Sequence, residues 1–495
     1  MPAATLMIQG TASSVGKSLL VTALCRIFKQ DGLRVAPFKS QNMALNSAVT
    51  PDGREIGRAQ AAQALAAGVP PEVAMNPILL KPEGDRRSQV VVLGRPWGVM
   101  DALEYHDRKG ELIEIVQHSL ESLRERFDLV VIEGAGSPAE INLMDRDLVN
   151  MRVAQIADAP VILTGDIDRG GVFAAIIGTL DLLGQHRDRV AGFVINKFRG
   201  SLELLEPGLE YLRERTGRPV FGVIPFLPDL RLEAEDSLEV PETEEGEGPL
   251  VAIVRFPFIS NFDEFRYLSA AGLAVRYVER PAQLEGARLI VLPGSKSVRH
   301  DLAWLRDRDL AEALIRKAAD GVPVLGICGG YEMLGTAVRD PDGCEGEPGQ
   351  SAGLELLPLV TTFNPDKTTQ QVVAEVGAWL PELRGVSLAA YEIHMGQAVG
   401  PGDSAFAVRD RSGGEPRAEG QVCGTVVGTF LHGLFENPEF CRAIARRLGA
   451  QANGPLEPAY DRLADHMRRH LDLPALYHLV ERTGKLAIPA PDSRS

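Results

Sequence analysis

Cysteine is scarce in this 495-residue chain: five are present, at positions 25, 328, 344, 423 and 441. The number is odd, the residues are scattered, and no C-x-x-C spacing occurs. That pattern excludes a disulfide framework and gives no zinc-site signature. Long hydrophobic runs are also missing, none reaching the ~18 residues that a membrane span requires. The opening "MPAATLMIQG" lacks the basic segment of a secretory leader, so a soluble cytoplasmic protein without a membrane partner is expected. Positive charge is in deficit too. Lys and Arg number 52 against 67 Asp and Glu, a net charge of −15, which disfavours binding to phosphate backbones and argues against a nucleic-acid partner. What is present suffices for packed cores: 45% of residues are apolar, and at roughly 100 to 200 residues per domain the length predicts two or more domains.

The first 230 residues alternate short β-branched runs with longer helical patterns. Strands are expected at "TLMIQG", "RVAPF", "SQVVVLG", "DLVVIEG", "APVILTGD", "VAGFVINKF" and "PVFGVIPF". Between the first two, "GKSLLVTALCRIFKQ" has apolar residues at helical spacing. Apolar strands alternating with amphipathic helices predict a mostly parallel sheet covered on both faces. From 232 to 250 the text turns acidic and is broken by Pro and Gly, as in a linker. The pattern restarts with "VAIVRF", "LAVRYVE", "RLIVLPGS" and "VPVLGIC". The expected organisation is therefore two doubly wound α/β domains, at 1–231 and 251–445, followed by a helical extension over 446–495.

"GTASSVGKS", residues 10 to 18, follows a strand and opens a helix, the context in which a phosphate-binding loop works. Backbone N–H groups from Gly10, Thr11 and Gly16 would face the phosphates, Lys17 would reach the β and γ oxygens, and Ser18 would offer its hydroxyl to Mg²⁺. Glu133 ends the apolar run "DLVVIE". A carboxylate there is costly unless a cation or metal compensates it, so Glu133 is a second candidate Mg²⁺ ligand. Asn196, ending "VIN", is a candidate contact to the base of ATP, and a polar loop position reads equally well.

Cys328 lies in "GICGGYEMLG", between an apolar run and a glycine-opened helix. A thiol on such a turn gains exposure and a lowered pKa, while the N–H groups around it can hold an oxyanion. A buried apolar cysteine is the competing reading. Gly326, Gly329 and Gly330 surround the thiol, "LPGS" brings Gly294 to the end of another expected strand, and "TFLHGLF" places His432 in a glycine-flanked loop. These features favour a nucleophile, with Gly329 and Gly294 at the oxyanion site.

This half resembles the class I glutamine amidotransferases, a flavodoxin-like fold. The resemblance implies that Cys328 attacks the glutamine amide, that His432 moves the proton, and that ammonia passes to a synthetase. Such domains usually carry an acid two residues after the histidine. Here that position is Leu434, with Glu436 out of register, which points to a Cys–His dyad. The N-terminal half is similar to dethiobiotin synthetase and its relatives, which phosphorylate a carboxylate. Across nearly the whole chain, "VAPFKSQNMALNS", "EIGRAQAAQA", "MNPILLKP", "DIDRGGVFA", "INKFRG", "YEIHMG" and "GTFLHGLF" resemble the cobyric acid synthase family of cobalamin biosynthesis. The resemblance implies ATP- and glutamine-dependent amidation of the b, d, e and g carboxylates of a corrinoid a,c-diamide. It brings Lys39, Gln41, Asn42, Lys81 and Arg169 toward the corrinoid, and leaves homo-oligomerisation open.

Three alternatives remain at this point. The a,c-diamide synthases share both domains, but have an acidic "GPD"-like stretch where this chain reads "SQNMALNS". CTP synthase also joins a phosphate loop to a glutaminase, normally with the His-x-Glu missing here. ParA-like switch ATPases usually carry a lysine where this chain has Thr11, and give Cys328 no role.

Overall fold

The computed structural model describes residues 2–83, 87–227, 246–411, 413–451 and 459–484. These divide into two units, one holding 2–44, 55–83, 87–227 and 459–484, the other 45–54, 246–411 and 413–451. Most of the expected linker, 232–245, lies outside the described residues, as does the end of the chain from 485.

The first unit is built on a six-stranded parallel sheet. Its order is Val220–Pro225, Val190–Phe198, Val161–Asp166, Ala4–Gly10, Leu129–Glu133 and Val35–Phe38. Ala4–Gly10 and Leu129–Glu133 are buried at every position, as strands covered on both faces must be. The helix Lys17–Gln30 leaves the central strand through Gly16, whose φ of 97° suits glycine.

One expected strand goes elsewhere. "SQVVVLG" does not join the parallel sheet; Arg87–Val92 runs antiparallel between Ile78–Pro82 and Arg95–Asp101, with Gln41–Met43 completing a four-stranded sheet. The cause is the two-residue turn Leu93-Gly94, where both φ values are positive (46° and 74°). Such turns match the twist of a hairpin, but "LG" is not the Asn-Gly pair that announces one.

The C-terminal helices Tyr460–His470 and Leu473–Glu481 pack into the core of this first unit through Leu463, Met467, Leu476 and Val480. Arg26 also grips Asp461 through two hydrogen bonds of 2.7 and 2.9 Å. An exposed pair contributes at most about 1 kcal/mol, whereas each buried Leu or Met side chain contributes about 1.5–3 kcal/mol. Apolar burial therefore docks these helices, and the ion pair sets their register.

The second unit has a sheet ordered Ala274–Val278, Leu250–Val254, Ala287–Leu292, Val324–Ile327, Val426–Thr429, Gln421–Cys423, with only the last strand antiparallel. The five parallel strands follow the 2-1-3-4-5 order of the flavodoxin-like fold. A second, mixed sheet is dominated by the long hairpin Val360–Val376 with Ser387–Val399, and the short strand Leu431–His432 joins its edge. Residues 45–54 also belong to this unit: Val49 is buried against Tyr391 and Ile393.

Candidate active sites

In the first unit, Ala4–Gly10 and Leu129–Glu133 lie side by side in parallel register, and the phosphate loop begins with the Thr11 N–H donating to the Thr164 carbonyl. Lys17 Nζ curls over the loop, donating to the carbonyls of Ala12 (2.9 Å) and Gly136 (3.3 Å). The loop is braced from the opposite side of the sheet. Asn196 donates its amide to the Val15 carbonyl at 2.8 Å, and Lys197 donates to the Ser14 carbonyl (2.6 Å) and to Asp166 (2.9 Å).

Glu133 is the electrostatic centre. Its Oε1 accepts hydrogen bonds from Ser18 Oγ at 2.7 Å and Lys39 Nζ at 2.9 Å, and its Oε2 accepts one from Gln63 at 2.5 Å. Burial pushes this carboxyl group toward the neutral form, but the Lys39 charge and the three hydrogen bonds outweigh it. Glu133 is therefore held ionised, below the usual carboxylate range. Hydroxyl and carboxylate oxygens 2.7 Å apart at a helix N-terminus are ligands that suit Mg²⁺, which usually takes one or two protein oxygens and completes its shell with phosphate and water.

The five residues that the resemblance brings toward a corrinoid have different partners. Lys39 joins the Glu133 cluster, and Lys81 is buried in a 2.6 Å ion pair with Glu55. Asn42 bonds Gln60 at 2.8 Å, while Arg169 is exposed beside Asp166. Gln41, bonded by the Tyr105 hydroxyl, lines a cavity considered below.

In the second unit, Cys328 has φ 51° and ψ −112°, a conformation strained for a residue with a side chain. The strain is over-determined by packing. A Cβ on Gly330 would stand 2.0 Å from the Leu292 carbonyl oxygen, so the turn must carry glycine there. The Cys328 N–H is held by Thr429 at 2.7 Å, and the thiol lies 3.5 Å from the Ile393 carbonyl. His432 is buried, with its ring stacked on Tyr391. Gly294 and Gly329 connect the two side chains. A Cβ on Gly294 would lie 3.2 Å from His432 Cε1, and one on Gly329 would lie 2.7 Å from the Ser295 nitrogen. Cys328 and His432 thus flank the same Gly294–Ser295 loop. Residues 45–54 back this site: the Ser47 N–H donates to Asn261, and its carbonyl accepts from Tyr391.

Sequence reading missed Glu264. Its Oε1 lies 3.5 Å from His432 Nδ1, and its carboxylate accepts weak hydrogen bonds from the N–H groups of Gly433 (3.3 Å) and Phe435 (3.4 Å). The 3.5 Å gap exceeds a formed hydrogen bond, the loose geometry common in catalytic sites without substrate. Burial pushes the Glu264 pKa up, partly offset by His432. Glu264 lies in "NFDEF", 168 residues before the histidine, where no short motif could point to it. Glu332, one turn after Cys328, is also buried, and its pKa is pushed well above the usual range by burial first and by Glu345 second.

These two sites define a P-loop α/β domain joined to a domain of the glutamine amidotransferase type. Residues 6–240 match the CobQ/CobB/MinD/ParA nucleotide binding domain family, and residues 250–440 match the CobB/CobQ-like glutamine amidotransferase domain family. The chain is 52% identical to the cobyric acid synthase of Sorangium cellulosum, covering 97% of this chain and 99% of that protein. It is 49% identical to those of Salmonella heidelberg and Salmonella typhimurium, covering 96% of this chain and 98% of each. The chain belongs to the cobyric acid synthase family. No helix among the described residues is long and apolar enough to cross a membrane.

Proposed function

We propose that this protein is an ATP- and glutamine-dependent amidoligase that converts the b, d, e and g carboxylates of adenosylcobyrinic acid a,c-diamide to amides. The observation that carries the reading is one chain holding both a phosphate loop with Ser18 and Lys39 on Glu133 and a cysteine at strained backbone angles that flanks the same glycine loop as a buried histidine.

In the glutaminase, the Cys328 sulfur attacks the side-chain amide carbon of glutamine. His432 accepts the thiol proton and returns it to the nitrogen, and ammonia leaves as the thioester forms. Water then releases glutamate and regenerates the thiol. Backbone N–H groups near Gly329 and Gly294 hold the oxyanion. Glu264 orients His432, completing a triad whose acid comes from another segment.

In the synthetase, a corrinoid carboxylate oxygen attacks the γ-phosphorus of ATP and ADP leaves. Ammonia then adds to the acyl carbon of the acyl-phosphate, and inorganic phosphate departs. Lys17 and the loop N–H groups position the phosphates. Ser18 and Glu133 would hold Mg²⁺, which when bound supplies charge neutralisation on the phosphate oxygens.

The phosphoryl route is tested with substrate carrying ¹⁸O in its side-chain carboxylates. One label should reach inorganic phosphate for each amide formed, with ADP as the nucleotide product. Label in AMP would mean adenylation and would overturn the mechanism.

Glu264→Gln should lower glutamine-supported turnover by about 10²–10⁴, the range for losing the group that fixes a catalytic histidine, while ammonium-supported amidation persists. The ionised carboxylate is the orienting form, and burial raises its pKa. Glutaminase activity should therefore rise with pH through that ionisation, and the Gln variant should lack this part of the profile. Glu436→Gln should leave turnover nearly unchanged; a loss as deep as that of Glu264→Gln would transfer the role to Glu436.

A further inference from the structure

We propose that the corrinoid binds in a cavity of about 860 Å³ in the first unit, between the four-stranded sheet and the loop that follows Glu133. The proposal rests on the amidoligase reading and adds to it the place where the ring sits. Three observations carry it.

The first is position. The Leu129–Glu133 strand borders the central strand on one side, while Asn196 braces the phosphate loop from the other. The cavity lies on the Glu133 side: Gly136 lines it, and the Gly136 carbonyl holds Lys17 Nζ. A carboxylate projecting from this cavity would meet the end of the loop at which Lys17 receives the γ-phosphate.

The second is surface chemistry. The walls are mainly apolar, and the lining includes Met43, Leu103 and Leu143, which are 50%, 71% and 43% exposed. Exposed apolar side chains gathered at one opening mark a surface that is covered in use. A volume near the top of the ~300–1,000 Å³ range of ligand sites suits a broad macrocycle better than a small acid.

The third is charge. Arg87, Lys109 and Arg146 line the same cavity. Two of its acids are turned to the backbone: Asp101 caps the N–H groups of Leu103 and Glu104, and Asp147 accepts from those of Val149, Asn150 and Arg152. Glu140, at the rim, is the remaining acid in the lining. An apolar floor with a cationic edge complements a flat hydrophobic ring bearing peripheral carboxylates.

The test is equilibrium dialysis of the full-length protein with adenosylcobyrinic acid a,c-diamide, read by the colour of the corrin, with ATP affinity measured in parallel. Leu103→Asp combined with Leu143→Asp changes two exposed positions, so folding is not at risk, and it places carboxylates against both the ring and its acid groups. Corrinoid affinity should fall at least about tenfold with ATP affinity unchanged. In Arg87→Gln combined with Arg146→Gln, binding should weaken and lose much of its dependence on ionic strength. If the wild type binds the corrinoid and both double variants bind it equally well, the cavity is wrong and the amidoligase reading stands. If Leu103→Asp with Leu143→Asp loses ATP and keeps the corrinoid, the cavity is a nucleotide site. A wild type that binds no corrinoid overturns the amidoligase reading itself.

Discussion

Cys328→Ala is expected to abolish amidation supported by glutamine, by a factor of about 10⁴ or more, and to leave amidation driven by high ammonium near the wild-type rate. The size follows from chemistry: no other group in the turn can form the thioester, and removing a covalent nucleophile leaves only binding and oxyanion stabilisation. The selectivity follows from the division of labour, because the thiol serves to liberate ammonia and takes no part in carboxylate activation. The substitution is also structurally mild. Cys328 sits at positive φ, where alanine is strained to a similar degree, and its hydrogen bond to Thr429 uses the backbone N–H, which alanine keeps. The measurement is product formation with each nitrogen source, beside a thermal melt showing the variant folded. Equal loss with glutamine and ammonium in a folded variant would mean that the nitrogen source and the ligase chemistry are not separable.

Much of this was legible because local chemistry and local structure coincide. "GTASSVGKS" between an apolar strand and an apolar-faced helix is interpretable without tertiary information, since a loop that cradles phosphate must have that sequence and that context. Glu133 was legible for an energetic reason: a carboxylate closing a fully buried strand needs compensation, and Ser18, Lys39 and Gln63 supply it. Cys328 was legible through its glycines, whose necessity the Gly330 contact with Leu292 makes concrete.

What stayed hidden depends on partners distant in sequence. Lys39 and Lys81 looked like similar cations in family-specific stretches, but each is committed to a buried carboxylate, Glu133 in one case and Glu55 in the other. Those carboxylates are 94 and 26 residues away, and no periodicity encodes the pairing. Glu264 escaped for the same reason. The pattern in related domains directs attention two residues past the histidine, whereas here the acid near Nδ1 comes out of a short helical turn far upstream in the chain. The antiparallel hairpin in the four-stranded sheet that walls the cavity was concealed by one turn, Leu93-Gly94, in which leucine takes a positive φ that its side chain disfavours.

Lys17→Ala should lower amidation by about 10³ or more with either nitrogen source, since positioning and charge neutralisation are nearly the whole of phosphoryl-transfer catalysis. Glutaminase activity without ATP should persist, as nothing in the Cys328 chemistry needs a nucleotide. The Lys17 ammonium donates to the backbone carbonyls of Ala12 and Gly136. Glu133→Gln would remove the carboxylate charge that faces the buried Lys39 ammonium, and breaking a buried pair costs about 3–5 kcal/mol. Lost activity in that variant would mix catalysis with stability, and a fall in melting temperature should accompany it. A thermal melt of Lys17→Ala beside the activity assay separates a deficit of the phosphate site from one of folding. Ammonium-driven product formed by Lys17→Ala at near the wild-type rate would refute the role of this loop in activating the carboxylate, whatever the glutaminase half does.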